Sequence, residues 1–248
     1  MILTRRAALI ATGAAVGVLL LWVAAGELRH RPDLARLFSA VVAPSAFALA
    51  ALALLVWLTF GWRRPARLEV EGGAFVAPAA HVVALTGVVV AASVVLLGVP
   101  PAMAGGINPI ALIYLPLYSA CCAGVVVWVA AIVRDAGRVE LHPDGVRGVD
   151  AFGETFVPWE AVAAGPLPGS SSAGDFTLGV NGPDLVRRRG LAPRDRHRVR
   201  LATHLSAVHR GFLANAVNFY LANPPERAGI GTTGGYERLL AAIGGPRS

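Results

Sequence analysis

The chain lacks lysine, has little cysteine and carries little charge. All 22 basic side chains among the 248 residues are arginine, and charged residues make up only 15% of the sequence. A typical globular domain carries about 25% charged residues, so this balance favours contact with lipid. The only cysteines are the adjacent Cys121 and Cys122, which excludes a disulfide framework within the chain.

What the sequence has instead is long apolar runs. Hydrophobic residues make up 55% of the chain and the mean hydropathy is +0.60. A helix that crosses a bilayer needs about 20 apolar residues, and the run 72–133, which contains no Asp, Glu, Lys or Arg, divides at the Pro- and Gly-rich stretch 98–109. The runs predict four transmembrane helices, at about 7–26, 38–60, 79–99 and 110–133.

The first of these helices has an alternative interpretation as a secretory signal. Arg5 and Arg6 precede it, and Val23–Ala25 is similar to a cleavage site. Its apolar run is longer than that of a usual signal and three more runs follow, so an uncleaved helix is expected. Arginines are more frequent in the loops on the N-terminal side of the predicted bundle. The arginine-only, Ala-, Gly-, Pro- and Val-rich composition is typical of a GC-rich bacterial genome, so a multi-pass protein of the bacterial inner membrane is expected. The arginine bias places both termini in the cytoplasm.

Composition changes after the fourth predicted helix, where charges return and apolar residues alternate with polar ones. Val139 and Leu141 share one face, and a turn follows at 142–145. Further short strands are expected within 146–162, 176–180 and 198–204, with Pro158 at a strand end and Trp159 in the core. An amphipathic helix follows at 204–223 and a short tail helix at 236–243. The predicted domains are a transmembrane domain at 1–136 and a cytoplasmic domain at 137–248.

The C-terminal domain resembles bacterial pleckstrin-homology-like (PH-like) domains. The similarity lies in "VELHPDGVRG" and "ETFVPWEAV", a strand–turn–strand that leads into a Pro–Trp–acidic–aliphatic element. The tail "FLANAVNFYLANPPERAGIGTTGGYERLLAAI" looks like the closing segment of actinobacterial membrane proteins that carry such a domain. The resemblance implies an α+β membrane protein: a four-helix transmembrane bundle, then a small antiparallel β-sheet or barrel closed by a C-terminal helix. It also implies protein contact or assembly rather than phosphoinositide recognition.

Three motifs that suggest chemistry are each better explained without it. "GIGTTG" at 229–234 matches a dinucleotide fingerprint in letters, but it follows Pro–Pro and a helix instead of a strand, so no cofactor is expected. His204 and His209 are five residues apart, which does not suit a helical metal pair, so no metal is expected. The serines near Asp175 lack a nucleophile elbow. No catalytic residue is predicted, and the protein is not expected to be an enzyme.

The candidate binding site is the basic stretch 187–200. The stretch contains seven arginines and one acidic residue, Asp195. Arginines close to a membrane are attracted to an anionic leaflet. Contact with the membrane surface or with an acidic partner is the hypothesis, and a solvated loop is the alternative. No aromatic residue interrupts the cluster to stack on bases, so nucleic acid is not an expected partner. The seven candidates are Arg187, Arg188, Arg189, Arg194, Arg196, Arg198 and Arg200.

The predicted function is binding or scaffolding. The expected partners are the lipid bilayer and either another protein or a second copy of the chain. A small-solute transporter or channel subunit with a regulatory cytoplasmic domain is the alternative, with His81 and the face of Tyr114 and Tyr118 as the residues that would line its path. The predicted helices contain no acidic residue, which favours helix packing over coupled transport.

Overall fold

The computed structural model describes residues 67–98, 109–163, 176–191, 195 and 197–244, together with scattered residues between 6 and 58. The chain forms two compact units. One consists of Met1–Trp62 and His81–Val133, and the other of Arg63–Ala80 and Arg134–Ser248. Most of the first two predicted spans, 7–26 and 38–60, lies outside the described residues.

In the described part of the first unit, residues 8–13 and 50–56 are helical, and two longer helices follow. Helix α1 spans His81–Gly98 and helix α2 spans Pro109–Arg134. Gly87 lies directly against the indole of Trp128, where any larger side chain would collide with the ring. The hydroxyls of Thr86 and Ser93 donate hydrogen bonds to carbonyls one turn earlier in α1.

The prediction of a four-helix transmembrane bundle is wrong. Among the residues that the structure describes, no helix combines the length and the apolar character that crossing a membrane requires. Helix α1 spans 18 described residues, a length of about 27 Å, whereas a hydrocarbon core is about 30 Å thick. Helix α2 has Pro116 inside it, a residue that lacks the N–H of a helical hydrogen bond. The predictions of a multi-pass inner-membrane protein and of cytoplasmic termini depended on these helices and are therefore wrong as well.

The strands of the second unit are β1 (Glu69–Glu71), β2 (Ala74–Ala77), β3 (Val139–His142), β4 (Gly145–Val149), β5 (Gly153–Pro158), β6 (Phe176–Gly179), β7 (Arg187–Gly190) and β8 (Arg198–Leu201). Six of them form an antiparallel sheet in the order β1-β2-β3-β4-β5-β7. A separate pair, β6 and β8, forms a two-stranded sheet. The α+β class is therefore retained.

One face of the six-stranded sheet forms the core. Phe75, Leu141, Val146 and Val157 lie opposite one another across β2 to β5, and all four are buried. The β6–β8 pair covers this inner face, because Leu201 of β8 packs directly onto Gly148 of β4. Helices α3 (Arg210–Ala222) and α4 (Thr233–Ile243) complete the same core.

The first two strands come from the segment between the second and third predicted spans. Gly72 and Gly73 have φ values of 58° and 76°, the left-handed conformation that a tight two-residue hairpin requires at both positions. Phe75 of this hairpin pairs with Leu141 of β3 and joins the core. The second unit thus includes residues 63–80, which lie inside the predicted 1–136 domain.

Several local predictions for the second unit are confirmed. Strand β5 ends at Pro158, and Trp159 is buried with its indole N–H donating to the carbonyl of His142 at 2.9 Å. The apolar stripe of the predicted helix is buried at Val208, Phe212 and Ala216. The helix begins at Arg210, six residues later than expected, because residues 203–205 form a 3₁₀ turn.

Candidate binding surface

Strand β7 forms one end of the six-stranded sheet and carries three of the seven predicted arginines. Within the described ranges its only hydrogen-bonded neighbour is β5. Arg189 lies opposite Glu154, Arg188 opposite Thr155 and Arg187 opposite Phe156. An edge strand presents a row of backbone N–H and C=O groups to which another extended segment can add.

The arginines of β7 project from both faces of the sheet, because successive side chains of a strand alternate. Arg187 and Arg189 share the outer face with Glu154, whereas Arg188 lies on the other face with Thr155. The guanidinium of Arg188 donates to the backbone carbonyl of Asp195 at 2.7 Å. The side chain of Arg189 is 86% exposed and lies 3.5 Å from Glu154, a loose contact that leaves it accessible.

Exposed apolar residues flank this edge on both sides. Leu185 precedes β7 and is 49% exposed, and Leu191 follows it and is 84% exposed. The backbone N–H of Leu191 donates to the carbonyl of Phe152, which is itself 47% exposed. The edge therefore offers backbone groups, positive charge and apolar contact together.

The centre of the outer face is a paired charge network built around Glu140 of β3. Its carboxylate accepts hydrogen bonds from Arg138 at 2.6 Å and Arg147 at 3.4 Å, and lies 2.9 Å from the ring of His142. Arg147 also bonds Glu154, so the network reaches β5. Burial would raise the pKa of Glu140, but the bonds from His142 and Arg138 and the charges of Arg138 and Arg147 outweigh it and lower that pKa.

Charge changes sign across the outer face. At the β1 end, Glu69 and Glu71 are exposed, and Glu71 lies 3.1 Å from Arg138. In the middle, Arg138 and Arg147 are neutralised by Glu140 and Glu154. At the β7 end, Arg189 contacts Glu154, a carboxylate that it shares with Arg147, and Arg187 lies opposite Phe156. The two edges of one sheet are thus acidic and basic.

The remaining predicted arginines do not join β7 in a single patch. Arg198 and Arg200 lie on β8, where Val199 and Leu201 point into the core and the two arginines point away from it. Since the β6–β8 pair covers the inner face of the six-stranded sheet, these two arginines face away from Arg187 and Arg189. Arg194 and Arg196 lie outside the described residues.

The acidic edge strand and β7 itself were not predicted. Strand β1 has a sequence signal, the alternation "LEVEGGAFVA" around Gly–Gly, which is typical of a hairpin. Strand β7 has none, because four consecutive polar or glycine residues, "RRRG", show no alternation of apolar positions.

The "GIGTTG" motif closes the second unit structurally. Gly231 has a φ of 83° and packs against the backbone of Gly73, where a side chain would collide. The hydroxyl of Thr232 accepts a hydrogen bond from Gly235 and begins α4. Within the described part of the chain, no three His, Cys, Asp or Glu side chains converge as a metal site.

Comparison of the chain with protein-family models, with curated proteins and with solved structures returned no match. The resemblance to PH-like domains therefore stays a prediction.

Proposed function

We propose that the protein is a binding module whose second unit takes up an acidic, extended segment of a protein partner along the edge of β7. The observation that carries the proposal is an edge strand with arginines on both of its faces. Strand addition derives affinity from backbone hydrogen bonds and specificity from the alternating side chains. Catalysis forms no part of this function.

The arginines select the segment as well as attract it. Charged side chains on an edge discourage uncharged strands from adding, because the charges would lose water without gaining a partner. An added strand with acidic side chains meets Arg187 and Arg189 on one face and Arg188 on the other. Leu185 and Leu191 supply apolar contact at the two ends of the edge.

A flat anionic surface fits the arrangement less well than a strand does. Arg198 and Arg200 face away from Arg187 and Arg189, so one plane can contact only one of the two pairs. A strand that follows the β7 edge reaches arginines on both faces at once. The geometry of the arginines thus favours a protein segment over a lipid surface.

The test is binding of a fluorescent eight-residue peptide with glutamate at alternate positions, measured by anisotropy on the full chain. The double substitution R187E/R189E removes two exposed ion pairs worth up to about 1 kcal/mol each, so affinity is expected to fall about 5- to 30-fold. R198E/R200E makes the same change of charge on β8 and is expected to leave binding unchanged. Binding should also weaken as salt is added.

Two results would count against the proposal. Equal losses in the two double variants would mean that net charge, rather than the β7 edge, attracts the peptide. Binding to vesicles of anionic lipid that depends equally on both arginine pairs would identify a lipid surface as the ligand instead.

A further inference from the structure

The two edges of the six-stranded sheet complement each other. Strand β1 presents Glu69, Val70 and Glu71, all exposed, and strand β7 presents Arg187, Arg188 and Arg189. Each is the end strand of the sheet in the described part of the chain. We infer that the acidic strand that adds to β7 is β1 of a second copy of this chain, so that copies associate head to tail through one continuous sheet. This inference rests on the proposed function and names its partner.

Strand direction permits this association. All neighbouring strands in the order β1-β2-β3-β4-β5-β7 are antiparallel, and their number is even, so β1 and β7 run in opposite directions. A second copy placed beside the first in the same orientation therefore sets its β1 antiparallel to β7. The new pair continues the pattern of the existing sheet.

Side-chain faces also match in that orientation. Glu69 lies opposite Val76, which lies opposite Glu140, so the glutamates of β1 belong to the outer face. Arg187 and Arg189 belong to the same face. A register with Glu69 opposite Arg189 and Glu71 opposite Arg187 gives two ion pairs on the outer face. Val70 then lies beside the aliphatic part of Arg188 on the inner face.

The same charges exclude the symmetric alternatives. Pairing β1 with β1 of another copy would bring the glutamates together, and pairing β7 with β7 would bring the arginines together. Like charges directly opposite each other on neighbouring strands are destabilising. A contact between unlike edges does not close on itself, so it produces a ladder of dimers, trimers and longer chains rather than a single dimer.

The test is sedimentation velocity of the full chain over a range of concentrations. The wild type is expected to form a concentration-dependent ladder. E69R/E71R has two basic edges and R187E/R189E has two acidic edges, so each alone is expected to lose association about tenfold or more. An equal mixture of the two variants contains complementary edges again and is expected to restore the ladder. R198E/R200E is the control and should behave as the wild type.

The mixture experiment also guards against misfolding, since two misfolded variants would not rescue each other. A second measurement uses the absence of lysine from the chain. Arg189→Lys introduces a single side-chain amine, which a zero-length carbodiimide can join to a carboxylate in contact with it. Glu154, 3.5 Å from Arg189 in the same chain, provides the internal control for reactivity. When this variant is mixed with heavy-isotope-labelled wild type, a link from position 189 to heavy Glu69 or Glu71 is expected.

The outcomes separate the two proposals. If R187E/R189E abolishes binding of the acidic peptide but the wild type shows no ladder and no heavy crosslink, self-association is refuted and the edge still binds another partner. If the peptide does not bind and no ladder forms, both proposals fail. A ladder that survives both charge reversals, or a mixture that fails to restore it, overturns the pairing of β1 with β7.

Discussion

Glu140 shows how one buried carboxylate organises the outer face of the sheet. Its side chain is only 9% exposed, yet it is surrounded by Arg138, His142 and Arg147. Hydrogen bonds to charged groups contribute about 1.5–3 kcal/mol each to stability, and removing the charge weakens the bonds from Arg138 and Arg147, which keep Glu71 and Glu154 as partners. The network thus binds β3 to β4 through side chains as well as through the backbone.

Glu140→Gln is expected to lower the free energy of unfolding by about 1.5–3 kcal/mol near neutral pH. Because the folded-state pKa of Glu140 lies below its ordinary value of 4.5, its contribution is fully present above that value and is lost as pH falls through the folded pKa. The difference between variant and wild type should therefore shrink from neutral pH to a pH well below 4.5. Urea unfolding at both pH values measures it, with the exposed Glu237→Gln as control. A difference that does not depend on pH would contradict this role of the charge.

Gly231 tests how closely the loop before α4 approaches the β1–β2 hairpin. Gly231→Ala places a methyl group against the backbone of Gly73 and also strains a φ of 83°. Gly244→Ala is a matched control, because its φ is 71° and nothing lies within 4 Å of the new methyl group. The strain of the left-handed backbone costs about 1–2 kcal/mol in both variants. Because only Gly231→Ala adds a steric collision, thermal unfolding should show it to be the more destabilised by a clear margin. Equal effects would show that the loop moves away at no cost.

Helix α4 holds the start of β1 through one hydrogen bond. The backbone N–H of Leu68, which is 1% exposed, donates to the hydroxyl of Tyr236 at 3.0 Å. Tyr236 also packs against Phe75 of β2, with ring centroids 5.4 Å apart. The short, exposed strand β1 therefore depends on α4 for its position.

Tyr236→Phe leaves the buried N–H of Leu68 without a partner, which is expected to cost about 1–3 kcal/mol. Tyr220→Phe is the matched control, because the buried Tyr220 hydroxyl has no hydrogen-bond partner among the described residues. Burial, with the nearby charge of Glu226, raises the pKa of Tyr220 to about 12, so its hydroxyl stays neutral at ordinary pH. Chemical denaturation should show a loss for Tyr236→Phe and little or none for Tyr220→Phe. A larger loss of stability for Tyr220→Phe than for Tyr236→Phe would show that Tyr236 does not anchor β1.

Elements with a clear periodicity were predictable, and those specified by distant contacts were not. The turn after Val139 and Leu141, the end of β5 at Pro158 and the buried stripe of α3 follow from local chemistry. Strand β7 has no apolar period, and it exists because β5 pairs with it. The seven arginines are close in sequence, but strand alternation and the separate β6–β8 pair divide them in space, which a one-dimensional cluster of charge does not reveal.

At the scale of the whole molecule, the second unit is discontinuous in sequence. Its two sheets are built from β1 and β2, which precede α1 by a few residues, and from β3 to β8, which follow α2. A boundary drawn from hydropathy follows the chain and so separates the hairpin from the sheet that it completes. The limits of the compact unit are instead determined by the pairing of β2 with β3 and by the burial of Phe75 in the shared core.

This division predicts that residues 134–248 alone are poorly folded, because β3 loses β2 as its neighbour and the core loses Phe75. Removing a buried phenylalanine by itself costs about 3–5 kcal/mol, a large part of the stability of a typical domain. Joining residues 67–80 to residues 134–248 through a flexible Gly–Ser linker in place of 81–133 should restore a cooperative unfolding transition and dispersed amide resonances. The same linked fragment carrying Phe75→Ala is the control and should lose that gain. A fragment 134–248 that unfolds as cooperatively as the linked form would show that the hairpin is dispensable to the unit.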